Sequence, residues 1–237
     1  MPSFAFRGQR GFYASVALLV RGFRMKCVSV IVAGAALGAT LATQAAADPV
    51  ALPALSERTA YMRVFGSSQA PYGFVRFCDQ NPQYCVQRGN GGRFEATPES
   101  LSDLDEVNRL VNRSVEPATD NEIYGISEYW TLPGDKGDCE DYALLKQKIL
   151  VGRGWPSSSL LLTVVRDEKG EGHAVLTART SQGDFVLDNK SDDVRLWSRS
   201  SYQFVMRQSY LDPKVWVSLD PQDAGAPSSL AGVQNDR

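Results

Sequence analysis

From residue 160 to residue 188 three runs of aliphatic and β-branched residues (160–165, 173–178 and 185–188) are separated by two short turn segments, 167–170 and 181–184. Strands joined this closely pair only as antiparallel neighbours, because a parallel pair needs a crossover of about a dozen residues or more. Upstream, two segments carry a helical period instead. Thr97 is placed as an N-cap with Pro98 in the first helical position, and Leu101, Leu104, Val107, Val111 and Val115 then recur at three- and four-residue steps until Pro117 stops the pattern. A second helix is predicted to start near Asp138, after the loop 133–137, with Tyr142, Ala143, Leu145, Ile149 and Leu150 facing inward and Gly152 and Gly154 at its end. Its acidic residues lie in the first turn and Lys146, Lys148 and Arg153 toward its end, both matched to the helix dipole. Residues 48–96 read as loop-rich, with short extended pieces at 61–65 and 73–77; further extended segments are expected at 202–210 and 215–219. Helices followed by an antiparallel meander predict an α+β domain.

The first 47 residues contain no Asp or Glu but do contain Arg7, Arg10, Arg21, Arg24 and Lys26, followed by an apolar stretch from Cys27 to Thr43 and by Ala45-Ala46-Ala47. A basic n-region, an apolar h-region and a small-residue cleavage site read as a secretory signal over residues 1–47, with Met25 as an alternative start to Met1. The other reading, an uncleaved anchor, is weakened by Gly34, Gly38, Thr40 and Thr43. Residues 48–219 are then the folded domain of an exported, periplasmic or secreted protein, and 220–237, rich in Ala, Gly, Pro and Ser, a mobile tail. Beyond residue 47 the chain carries 20 basic and 27 acidic residues, which leaves no cationic footprint for nucleic acid.

An exported chain meets oxidising conditions. Cys78 and Cys85 sit close together in a loop holding Asn81 and Pro82, where a local disulfide is easily closed; a metal site there lacks further Cys or His ligands. Cys139 is left unpaired, and is either buried and inert or kept for its reactivity. Its position at the first residue of a helix favours reactivity, because free backbone N–H groups and the positive dipole end stabilise a thiolate. His173, the only histidine, opens a strand, and Asp188 closes the next one. If the sheet brings them together, Cys139 attacks a carbonyl, His173 takes and returns the proton, and Asp188 fixes the imidazole tautomer. Each residue also has a plain structural reading: a small helix-start residue, a satisfied histidine and a turn-forming aspartate.

Gly137-Asp138-Cys139-Glu140-Asp141-Tyr142-Ala143 with Lys146, then Gly172-His173-Ala174-Val175-Leu176, then Val186-Leu187-Asp188-Asn189 follow one another in that order. With Val107-Asn108, Val111-Asn112, Asp120 and Tyr129-Trp130-Thr131-Leu132-Pro133 upstream, the chain resembles the bacterial transglutaminase-like cysteine proteinases, among them the LapG-type periplasmic proteases, over residues 55–210. The resemblance implies a papain/transglutaminase-like α+β fold, its helical part carrying the nucleophile and packed on an antiparallel sheet. It also implies a Cys139–His173–Asp188 triad, a protein substrate such as a surface adhesin, and an inner-membrane regulatory receptor. The Cys78/Cys85 pair departs from the LapG-type pattern.

Asp138, Glu140 and Asp141 crowd the nucleophile, and like charges so near oppose its ionisation. Two accounts stay open. Either Asp138 and Asp141 are consumed in capping the helix, or the three carboxylates hold a Ca²⁺, as the LapG resemblance implies. Trp130 is either a wall of the cleft or core packing. For the chemistry, hydrolysis of a peptide bond is the first expectation, acyl transfer to an amine the second, and a binding module that retains the fold without turnover the third.

Overall fold

A computed structural model describes residues 60–222 of the 237-residue chain. The expected signal segment 1–47 and most of the expected tail, 223–237, lie outside the described residues.

The meander forms as its spacing requires. Strands β4 (Leu160–Arg166), β5 (Gly172–Thr180) and β6 (Gly183–Asp188) pair antiparallel, and β7 (Ser191–Leu196) continues them as an edge strand that the periodicity did not reveal. On the other side of β4 the sheet adds β8 (Gln203–Gln208), β9 (Trp216–Ser218) and the short β1 (Gly66–Ser68). The order is β1-β9-β8-β4-β5-β6-β7, and every neighbouring pair is antiparallel. Two short strands, β2 (Glu116–Pro117) and β3 (Lys136–Gly137), pair in parallel beside it.

Alternation along the strands separates two apolar faces. Leu160, Leu162, Val164, Leu176, Ala178, Leu187 and Met206 pack against helix α2 (Pro98–Ser114) through Leu104, Val107 and Val111, and against helix α4 (Cys139–Gly152) through Tyr142, Ala143 and Leu150. Val165, Val175, Val186 and Phe204 form a smaller cluster on the opposite face with Met62 and Leu219. Helix α2 begins at the expected cap: Thr97 Oγ1 accepts the Ser100 N–H at 3.2 Å while Ser100 Oγ accepts the Thr97 N–H at 2.9 Å.

Two helices depart from the sequence reading. Residues 73–77, expected to be extended, lie within helix α1 (Tyr72–Gln80). Its glycine, aromatic and β-branched residues read as strand, but Phe74, Phe77 and Cys78 stand at helical spacing and are all buried in the main core. Gly73 lets Trp130 close onto this helix; a Cβ there would come within 2.3 Å of the indole. The second, α3 (Asp120–Tyr124), is one turn and a half held by a Thr119/Glu122 capping box. The expected disulfide joins Cys78, near the end of α1, to Cys85.

Candidate active site

Helix α4 starts at Cys139 because the chain before it is fixed on three sides. Lys136 and Gly137 pair with Glu116 and Pro117, the Tyr142 hydroxyl donates to the Val115 carbonyl at 2.5 Å, and Asp141 folds back over Gly137. A Cβ on Gly137 would lie 2.8 Å from Asp141 Oδ2 and 3.0 Å from the Pro133 ring, so glycine alone fits without displacing one of them. The half-buried Cys139 Sγ accepts the Ala174 N–H at 3.3 Å and its S–H donates to Glu140 Oε2 at 3.1 Å. The free thiol therefore sits against the backbone of the residue that follows His173, where β5 begins.

The sheet supplies the other half. His173 is 4% exposed, and its Nε2 lies 2.9 Å from Asp188 Oδ1. Asp188 is buried at the end of β6 and takes two further donors: the Lys190 N–H on Oδ1 at 3.0 Å and the Tyr202 hydroxyl on Oδ2 at 2.6 Å. Its own carbonyl accepts Asn112 Nδ2 at 3.0 Å, and Asn108 Nδ2 donates to Ser191 at 2.8 Å, so helix α2 clamps the turn that presents the carboxylate. Burial alone would raise Asp188, but the bonds from His173, Tyr202 and Lys190 outweigh it and hold the carboxyl at about 2. With Nε2 facing a carboxylate that stays ionised, the neutral imidazole carries its proton there and keeps Nδ1 as the base.

The expected depression of the thiol is not what the site produces. Burial pushes the Cys139 thiol well above its ordinary value; Glu140 and Asp138 push the same way, and the Ala174 N–H opposes them only in part. A helix N-terminus contributes about 0.3–1 kcal/mol to an anion, which two adjacent carboxylates and lost hydration exceed. The proton on sulfur is directed at Glu140.

Those carboxylates gather on a different set than the sequence suggested. Asp120, Asp138 and Glu140 each offer an oxygen within 4.8 Å of the others. Asp141 turns instead to Thr131, whose N–H it accepts at 2.9 Å. Asp138 stands at the N-cap position without a side-chain capping bond; its Oδ2 lies 3.4 Å from the Asp120 N–H. Asp120 accepts the Tyr129 N–H on Oδ2, yet Asp120 Oδ1 and Asp138 Oδ1 are buried with no hydrogen-bond partner. Burial, then Asp138, raises Asp120 to about 6; burial also raises Glu128 to about 7 and Asp141 to about 8. Converging, orphaned carboxylate oxygens without nitrogen or sulfur ligands form the donor set of a hard divalent cation such as Ca²⁺, and the residues fit it. From sequence Asp120 stands among the family-like residues without this role; the Thr119–Glu122 capping-box spacing, not used in that reading, is the local signal for the helix that carries it.

Trp130 packs in the core. It is 3% exposed, edge-on to Phe74 and Trp216, and its Nε1–H donates to Glu128 at 2.8 Å. Tyr202, read from sequence only as the start of an extended segment, is the contact the sequence missed. Its ring lies edge-on to His173 with centroids 5.6 Å apart.

Residues 64–224 match the family described as bacterial transglutaminase-like cysteine proteinase. Among solved structures, the chain is similar to calcium-bound LapG of Legionella pneumophila, at 22% identity over 67% of this chain and 85% of that one, with a TM-score of 0.44. It is also similar to an EGTA-treated form of the same protein, at 25% identity over 57% and 71% of the two chains, with a TM-score of 0.40. No curated protein gives a significant match. The family match spans more than half of the chain and holds Cys139, His173 and Asp188 within it, so the chain belongs to the bacterial transglutaminase-like cysteine proteinase family and is a cysteine peptidase of that kind.

Proposed function

We propose that this protein is an exported cysteine endopeptidase in which Cys139 is the nucleophile, His173 the general base and acid, and Asp188 the residue that orients the imidazole. The observation that carries the reading is the meeting of two elements: the thiol at the head of α4 receives the N–H of Ala174, while the adjacent His173 is bonded to an ionised Asp188. Cys139 attacks the scissile carbonyl, His173 accepts the thiol proton and returns it to the leaving amine, and water then releases the acyl group. The N–H groups of the first turn of α4 have no intrahelical partners and suit the developing oxyanion.

The convergence of three carboxylates beside the thiol supports a cation as partner of this site. Asp120, Asp138 and Glu140 would bind Ca²⁺, which when bound supplies positive charge beside the nucleophile and engages the carboxylates that otherwise retain its proton. The sequence's basic, apolar and Ala-rich first 47 residues support export to the periplasm, and the LapG-type resemblance supports a surface adhesin as substrate and an inner-membrane receptor as regulator.

Peptide-library cleavage read by mass spectrometry tests the reading. Wild-type protein with Ca²⁺ is expected to yield hydrolysed peptides, and Cys139→Ala none. Cross-linked or aminated products in place of hydrolysis would turn the assignment to acyl transfer. Cleavage that persists in Cys139→Ala would end it.

A further inference from the structure

We propose that the Tyr202 hydroxyl is a positioning group for the triad, fixing the Asp188 carboxylate in the plane that serves His173. The inference rests on the peptidase reading above and adds a residue to it. Three donors meet the Asp188 carboxylate, two from side chains and one from the backbone, and they are unevenly placed. His173 Nε2 and the Lys190 N–H both fall on Oδ1, at 2.9 and 3.0 Å, while Tyr202 alone holds Oδ2, at 2.6 Å. The terminal torsion of an aspartate is soft and broadly populated, so two donors on one oxygen leave the carboxylate free to swing about it. A donor on the second oxygen removes that freedom.

Tyr202 is suited to this duty in two further ways. It stands just before β8, outside the β5–β6–β7 hairpins that carry His173, Asp188 and Lys190, and so ties Asp188 to a separate part of the sheet. Burial and the bond to Asp188 push its phenol well above the ordinary tyrosine value, so it remains a donor throughout the neutral range. Its ring also borders His173 edge-on, so a Phe at this position keeps the packing and loses only the hydroxyl. Tyr202 touches none of the reacting atoms and acts through Asp188.

The single histidine makes the effect readable. In proton spectra of the full chain with Ca²⁺, the His173 Nε2 proton is expected as one downfield resonance, broadened or lost by exchange in Tyr202→Phe. A resonance that stays as sharp in the variant overturns the proposal. Alkylation of Cys139 by iodoacetamide, followed by peptide mass spectrometry, gives the second readout. Tyr202→Phe is expected to slow it about tenfold, the size of a hydrogen bond to a charged group. In an Asp188→Ala background the same change is expected to add no further slowing. Losses that multiply would show that Tyr202 does not work through Asp188 and would overturn the proposal. Should Tyr202→Phe melt early, the four-variant comparison below its midpoint still decides. The two readings also fail separately: equal alkylation in wild type and His173→Ala removes the peptidase assignment, whereas a rate that falls in His173→Ala but not in Tyr202→Phe removes only the role of Tyr202.

Discussion

The two halves of the site are built to opposite electrostatic ends. On the sheet, Asp188 is buried yet ionised, because His173, Tyr202 and Lys190 supply donors to both of its oxygens. At the head of α4, Asp120, Asp138 and Glu140 are brought together with oxygens left unpartnered, and the neighbouring thiol is held protonated. Burial costs a carboxylate about the same wherever it occurs; what differs is whether the chain itself provides the compensating charge or hydrogen bonds. The sheet half is complete within the polypeptide. The helix half leaves Asp120 Oδ1 and Asp138 Oδ1 without a partner from the described residues.

The largest expected effect breaks the covalent step that joins the halves. Cys139→Ala is expected to abolish peptide cleavage, and His173→Ala to reduce the cleavage rate by about 10²–10⁴, both read as initial rates on a peptide found by library profiling. Next comes cation removal, which bears on the helix half alone. EGTA is expected to suppress cleavage at least tenfold (about 1.4 kcal/mol), Ca²⁺ to restore it, and Asp120→Asn or Glu140→Gln to raise the calcium concentration needed. Full activity in EGTA would show that the acidic turn needs no metal.

A smaller effect appears in stability against pH. Asp120, Glu128 and Asp141 have folded values raised to about 6, 7 and 8. For a raised carboxylate the stabilisation is fully present below the unfolded value of about 4 and is lost as pH rises through the folded one. Cation-free protein is therefore expected to melt at progressively lower temperature from about pH 4 to about pH 8, with Ca²⁺ flattening the decline in thermal scans. Asp188, with its folded value near 2, contributes in the opposite sense: its stabilisation is present above about pH 4 and lost only as pH falls toward 2. The smallest effect concerns the clamp on the sheet half. Asn108 is fully buried and its amide donates to Ser191 at 2.8 Å, so Asn108→Ala is expected to cost about 1–3 kcal/mol in urea unfolding. A calcium response left unchanged in that variant would mark the two halves as energetically separate.

The positions of Cys139, His173 and Asp188 were legible in the sequence, and those of the acidic cluster only in part. Cys139 at a helix start, His173 at a strand start and Asp188 at a strand end were legible because a loop followed by an acidic first turn, and strand–turn alternation, are local signals. Helix α1 was misread because its Gly73, Val75 and aromatic residues favour extended structure locally, while the burial of Phe74 and Phe77 that makes it helical belongs to the core. The acidic site was read from three neighbours in sequence. In space Asp120, from a different helix, joins Asp138 and Glu140, while Asp141 lies outside that set, its Oδ1 bonded to the Thr131 N–H and its Oδ2 buried without a partner among the described residues.

By itself, then, the sequence determined the two long helices, the three-strand meander, the closing of the Cys78–Cys85 loop and the residue types of the chemistry, all set by contacts between near neighbours. Only the tertiary structure decided the ionisation of those groups and the company they keep. Charge state depends on burial and on partners from distant segments, as when Tyr202 steadies Asp188 and Asp120 closes the acidic cluster. No periodicity along the chain encodes which distant groups will share a desolvated space.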